Sequence, residues 1–415
     1  MFKIFSFTGL STLIKIITGY ISVKIVASII GPSGVALIGQ LQNVTSIFTT
    51  FGAGGINNGV IKYVSEFKNE ETILKKFLYV GFKITFVLSL FLGLLIIVFC
   101  SYLSKIILLD PKYYYVFIFL GISLLPLSLN NYFLSILNGF KEFKKFVIIN
   151  IITSILGLLF TVFLVVKFQL KGALIANVTY QSIILFVTIF FIRKYFWFSK
   201  EFFLGKWDKL TIKKYSSYSL MALISVVTVP VTQMLVRGYI INKYSIQQAG
   251  FWEGINRISG LYLLFVTTSV GVYYLPKLSE IKVDSLLRKE IFKTYKIITP
   301  IIFVCLVLIY LFRELIVNIL FTKEFYPMKD LFFWQLLGDF FKIMSWLLGF
   351  LMIAKSMTKM YIITETVFAI LLILISYYFI NLNGVIGATQ SYCLIYFMHL
   401  ITMICIFKNL IFSKN

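Results

Sequence analysis

Runs of about 20 apolar residues, each long enough to cross a bilayer, recur along the 415-residue chain. Short polar clusters separate them. The turns GPSG (31–34) and NLNG (381–384), the pair Asp110-Pro111 and the charged stretch 193–214 are the clearest breaks. The pattern predicts twelve transmembrane helices, over 5–30, 35–60, 77–104, 113–137, 146–166, 172–192, 216–241, 247–275, 295–313, 330–354, 360–380 and 384–407. A membrane β-barrel would instead show roughly ten-residue segments of alternating polarity. The expected fold class is therefore an all-α polytopic membrane protein.

Composition agrees. The chain is 60% hydrophobic and 13% charged, against about a quarter charged in a soluble protein. Loop charge sets orientation: one side of the predicted topology collects 26 Lys and Arg, the other 8. That puts the basic side and both termini in the cytoplasm. Much of the formal +23 charge is then topology and contact with anionic lipid. No basic folded domain of the kind nucleic-acid binding needs is present. The four cysteines lie in apolar runs without metal or disulfide spacing. With one histidine and no HExxH, no metal or other cofactor is expected. The outer loops are too short to build an enzyme site.

Three matches share an offset of 215: Gly39 with Gly254, Gly139 and Lys144 with Ala354 and Lys359, and Gly172-Ala173 with Gly387-Ala388. The expected organisation is two six-helix lobes, 1–194 and 215–415, related as a parallel repeat. Residues 195–214 are expected to form an amphipathic linker on the cytoplasmic surface. Transporters built this way hold substrate between their halves.

Charges at bilayer depth are costly and mark candidate sites. They are Lys15, Lys24, Arg237, Glu253, Arg257, Asp339, Lys342 and Glu365. Ser11, Thr12, Lys15, Gly19 and Ser22 share one helix face, which should look into protein or water. Lys24, on the opposite face, either snorkels to headgroups or joins the site. Gly39, Asn43, Ser46 and Thr50 form a second polar stripe, running into FGAGGINNG (51–59). No strand precedes those glycines, so a bend is expected there rather than a phosphate loop, with Asn57 at the inner end of the cavity. Glu253, Asn256, Arg257 and Gly260 share a face. Two pairings stay open for them: Glu253 with Arg257 in one helix, or Glu253 with Arg237 at the same depth. Asp339 and Lys342 form a second possible pair. Glu365 and His399 are candidate proton carriers, although burial alone accounts for His399. The aromatics read as lipid-facing and interfacial filler.

A cavity with excess positive charge suits a phosphate-bearing head, and neutral Asn, Gln, Ser and Thr suit sugars. The chain resembles the Wzx-type flippases of lipid-linked oligosaccharides, in the multidrug/oligosaccharidyl-lipid/polysaccharide exporter superfamily. It looks most like the lipid III and O-antigen members. The resemblance rests on STLIKIITGYISVK with GPSG (11–34), GAGGINNGVIKYV (52–64), SLMALISVVTVPV with Arg237, GFWEGINRIS (250–259), and MKDLFFWQLLGDFFKIMSWLLGFLMIAK (328–355). It implies transport of an undecaprenyl-pyrophosphate-linked glycan, of O-antigen or enterobacterial common antigen type, by alternating access. Membrane lipids, a polysaccharide polymerase and a chain-length regulator are the implied partners. Lys15, Lys24, Arg237, Asp339, Lys342 and Glu365 fit the family pattern. Arg257 stands at a commonly basic place; Glu253 and Gly260 depart from the pattern around it. A multidrug exporter of the same superfamily is the rival reading, and five bases against three acids suit exported cations poorly. On this reading Arg257 meets the headgroup, while Glu253 pairs with Arg237 or trims the field, so Glu253→Gln should be milder than Arg257→Ala.

Overall fold

The computed structural model describes residues 2–203, 205–355 and 357–412. Lys414, counted above for orientation, lies outside the described residues, as does the side chain of Lys3. The described chain is helical throughout. It divides into two compact units, one of residues 1–29 and 37–230, the other of 30–36 and 231–415.

The first unit contains α1 (Phe2–Gly52), α2 (Asn57–Phe67), α3 (Glu71–Val98), α4 (Cys100–Ile107), α5 (Tyr114–Gly139), α6 (Phe143–Ile192) and the start of α7 (Lys209–Lys243). α1 covers the first two predicted spans with a break at Gly31, where φ is +65°. α6 covers the fifth and sixth with a break at Gln169. The second predicted span, read to residue 60, stops at Gly52. Gly54 and Gly55 take positive φ, and their N–H groups donate to Phe51 and Thr50 carbonyls, each at 2.9 Å. That 6→1 and 5→2 pattern closes a helix end, so the expected bend is a full stop and α2 starts afresh. α5 packs on α2, α3 and α6 around a core that includes Tyr63, Phe77, Tyr132 and Phe133.

The 195–214 segment is built into this unit. Trp197 and Phe202 belong to the same core, and Trp197 stacks on Phe140 with centroids 6.0 Å apart. Lys75 Nζ reaches Glu201 at 2.9 Å. Trp197 and Phe202, expected in a linker on the cytoplasmic surface, thus turn into protein, while Phe196 and Trp207 stay exposed. Asp208 accepts from the Thr211 N–H at 2.9 Å, capping the start of α7. The Thr211 hydrogen bonds hold its carboxyl below the usual carboxylate range.

The second unit holds the rest of α7 with α8 (Ile246–Glu280), α9 (Asp284–Leu311), α10 (Arg313–Leu320), α11 (Phe332–Ala354), α12 (Thr358–Asn383), α13 (Ile386–Ile406) and α14 (Lys408–Phe412). α11 is its axis, packing on α8, α9, α12 and α13. Residues 30–36 dock on α8: a Cβ at Gly250 would come within 2.0 Å of the Pro32 carbonyl oxygen, so only glycine admits that approach. The outer faces of α9 and α12 stay apolar and exposed, with Phe303 59% and Leu374 60% accessible. Faces of that kind suit lipid, since backbone polarity is satisfied within each helix.

The offset of 215 reappears in backbone detail. α5 ends at Gly139 and α11 at Ala354; α6 begins at Phe143 and α12 at Thr358. Gln169 and Gly384 both take positive φ. A Cβ on Gly172 would lie 1.9 Å from Leu164 O, and one on Gly387 2.1 Å from Phe379 O. Each pair is separated by the same interval. Eight helical stretches among the described residues are long and apolar enough to cross a membrane. Two of those eight, in α1 and α6, contain the breaks at Gly31 and Gln169.

Candidate substrate-binding site

Two polar clusters are buried in the second unit, and α8 contributes to both. In the first, Arg237 of α7 donates from Nη2 to Glu253 Oε2, while Arg257 donates from Nε to Glu253 Oε1 at 3.0 Å. One carboxylate therefore serves both pairings left open by the sequence. The 253–257 contact follows from i,i+4 spacing on one helix. The contact with Arg237 needs antiparallel packing of α7 and α8 behind a short turn. The Arg237 guanidinium also lies 5.5 Å from the Trp252 ring centroid. Side-chain accessibility separates the arginines, at 1% for Arg237 and 15% for Arg257. Two guanidinium groups share one carboxylate, and Arg257 is the more accessible of the two arginines. Asn256, on the same face, spends its amide on the Trp252 carbonyl at 2.9 Å.

The second cluster centres on Asp339 of α11, fully buried. No ion pair to Lys342 forms among the described residues. Asp339 instead accepts from the Ser259 hydroxyl at 2.7 Å, from the Tyr262 hydroxyl and from the Tyr392 hydroxyl at 2.7 Å. Lys342, one turn along α11, is clad by rings: its ammonium lies 5.1 Å from the Trp346 centroid, 5.2 Å from Tyr392 and 4.7 Å from Tyr396. Tyr392 faces both charges. The reason for the change is geometric: a carboxylate and an ammonium three residues apart find nearer partners on α8 and α13 than on each other. Gln335, one turn before Asp339, is 1% accessible and both its amide atoms lack a partner among the described residues.

Removing the Asp339 carboxylate leaves three hydroxyls to find new acceptors. Asp339→Ala is expected to cost about 1–3 kcal/mol for each hydroxyl left unsatisfied. Thermal unfolding in detergent measures it, and Asp339→Asn should recover part of the loss because the amide keeps one acceptor oxygen.

The remaining candidates scatter. Lys15 and Lys24 are exposed on α1 in the first unit. Asn43 and Asn57, also in that unit, are half-buried, and each has one buried polar atom without a partner among the described residues. Glu365 is half-buried on α12. His399 is buried, with the Phe368 ring 4.7 Å away and near-perpendicular to it. Sequence reasoning missed Ser259, Tyr262, Trp346, Tyr392 and Tyr396. The available signal was Tyr392 and Tyr396 one turn apart in an apolar helix, which reading the aromatics as filler hid.

Solved structures share this fold. An inward-facing multidrug-resistance MATE transporter of the MOP superfamily aligns with TM-score 0.77 at 14% identity, covering 97% of this chain and 98% of that one. The lipid II flippase MurJ, inward closed, aligns with TM-score 0.74 at 16% identity over 97% of this chain and 87% of that one. The class is thus a multi-pass membrane protein with the MOP transporter fold. Within that class the chain belongs to the polysaccharide biosynthesis protein family, whose profile matches residues 25–330. It is 27% identical to the lipid III flippases of Escherichia coli (strain K12) and Shigella flexneri over 395 residues, 94% of this chain and 94% of each relative.

Proposed function

We propose that the protein is a flippase for undecaprenyl-pyrophosphate-linked oligosaccharide, an O-antigen or common-antigen (lipid III) unit. It carries the head from the cytoplasmic to the periplasmic leaflet of the bacterial inner membrane. The observation that carries this reading is the pair of arginines on buried Glu253, with Arg257 as the more accessible of the two. Charge-assisted bonds from guanidinium to phosphate are strong and directional. End-to-end similarity to two lipid III flippases supports the same substrate class.

The mechanism follows from alternating access. Two six-helix lobes, 1–194 and 215–415, related as a parallel repeat and joined through 195–214, open in turn to each side. Both termini stay cytoplasmic. Lys15, Arg237, Arg257 and Lys342 attract the pyrophosphate while the tail remains in lipid. Glycan delivered outside would pass to a polysaccharide polymerase with its chain-length regulator. Cation export is the weaker rival, because a site with two arginines on one acid repels cations.

The test is reconstitution of the purified chain in vesicles loaded with a fluorescent undecaprenyl-pyrophosphate oligosaccharide. Externally added glycosidase should gain access to the inner-leaflet glycan only when the protein is present. Lys15→Ala should slow that exposure while inserting normally. Absence of glycan movement together with efflux of a cationic dye would overturn the reading in favour of the multidrug class.

A further inference from the structure

We infer that the bare stretch of α8 at Gly260 is the subsite for the sugar bonded to the pyrophosphate. The inference rests on the flippase reading and adds a specificity-determining position to it.

Packing accounts for two glycines earlier in α8 but not for this one. A Cβ on Gly250 would lie 2.0 Å from the Pro32 carbonyl oxygen, and one on Gly254 2.6 Å from Met328 Sδ. At Gly260 no heavy atom stands within 4 Å of the Cβ position, and φ is not positive. Glycine weakens a helix interior, so neither a close approach nor a turn calls for it here. What it leaves is room. Gly260 is exposed, while its neighbours Ile258 and Ser259 are buried.

The room opens on the ionic face of the helix. At about 100° per residue, Gly260 lies in line with Glu253 and, around the axis, between Asn256 and Arg257. A face that carries these side chains does not look at lipid, where charge is costly. The strip is also fixed on both sides. Arg257 donates from Nε to Glu253 at 3.0 Å, and the Ser259 hydroxyl donates to Asp339 at 2.7 Å.

Chemistry selects the occupant. Asn256 gives its amide N–H to the Trp252 carbonyl at 2.9 Å, and its amide oxygen accepts no hydrogen bond among the described residues. A second phosphate would bring only acceptors to that oxygen. A sugar hydroxyl donates to it. Arg257 and Gly260 are three residues apart, about 4.5 Å along the axis. A ring bonded to a phosphate at Arg257 therefore comes to rest over Gly260, where bare backbone lets it lie close and any larger side chain would take its place.

The experiment measures Kd for the full chain in nanodiscs with two probes, undecaprenyl pyrophosphate and the same lipid carrying one N-acetylglucosamine. The parent should hold the sugar lipid about tenfold more tightly. Gly260→Leu should abolish that gain and leave the Kd for the bare lipid unchanged. Leucine meets no neighbour there and is the better helix former, so the variant should unfold at the parental temperature or above. Gly260→Ala, one methyl larger than the parent, carries the same test with a smaller loss. Asn256→Leu, similar in size but without the acceptor, should lose about threefold on the sugar lipid alone. Equal parental Kd for the two lipids, a Gly260→Leu chain that keeps the gain, or loss of both lipids together would each overturn the sugar subsite; the last would give the room to phosphate. A sugar gain that follows Gly260, with no glycan movement in vesicles, would overturn the flippase reading and leave the subsite standing. Glycan movement at the same rate in the parent and in Gly260→Leu would overturn the subsite alone.

Discussion

Glu253→Gln is expected to lose about 3–5 kcal/mol of folding stability, the usual cost of leaving a buried charge without its partner. Both Arg237 and Arg257 bond to this one carboxylate, and Arg237 is almost fully enclosed. Glutamine keeps the shape and one acceptor oxygen but no charge, so both guanidinium groups lose their ion pair with this carboxylate. A midpoint shift measured by size exclusion after heating would register the change. The sequence reading ranks Glu253→Gln milder than Arg257→Ala for transport. The shared carboxylate puts the larger cost to stability on Glu253→Gln. A Glu253→Gln chain as heat-stable as the parent would show that the arginines have another anion to hold them.

Arg257→Ala should do the converse, folding nearly normally while glycan movement in vesicles falls about ten- to a hundredfold. The lost interaction is a charge-assisted bond to phosphate, of order 1.5–3 kcal/mol, and each ~1.4 kcal/mol is a factor of ten. The remaining Arg237–Glu253 pair is neutral as a unit, so it holds the two helices without attracting an anion. Arg257→Lys should recover part of the rate, because an ammonium restores charge but not the forked geometry of guanidinium. Flipping at the parental rate in Arg257→Ala would remove Arg257 from the headgroup site and leave it as half of a helix clamp.

The two variants ask different questions of neighbouring side chains. Glu253 is expected to act through folding, by fixing where charge sits. Arg257 is the residue of that cluster with access. The division comes from 1% against 15% side-chain accessibility, which residue type alone does not carry.

Much was legible along the chain. Apolar run length is a one-dimensional property of a helix in lipid, because each helix satisfies its own backbone. The all-helical build and the breaks at GPSG and NLNG follow from it. The interval of 215 was legible because a turn needs particular residues: Gly172 and Gly387 each sit where a Cβ would strike a carbonyl. Charges at bilayer depth stood out because they are expensive there.

Partnership was not legible, because it depends on which helix lies beside which. Arg237 and Glu253 are 16 residues apart and meet through a hairpin, a contact depth could suggest. Asp339 takes hydroxyls 80, 77 and 53 residues away, and nothing periodic in the chain links them. Asp339 and Lys342 look like a pair in sequence; packing gave the acid to tyrosines and serine and the base to aromatic faces. The aromatics of 195–214 look made for a membrane surface; Phe196 and Trp207 are exposed, yet Trp197 has no exposed area. Sequence by itself determined that this chain crosses a membrane as helices and carries ionic groups within it, since both follow from the cost of polarity in hydrocarbon. Tertiary structure alone decided which ions neutralise one another and which side chains are left to meet a ligand, because that balance is set by distances between helices.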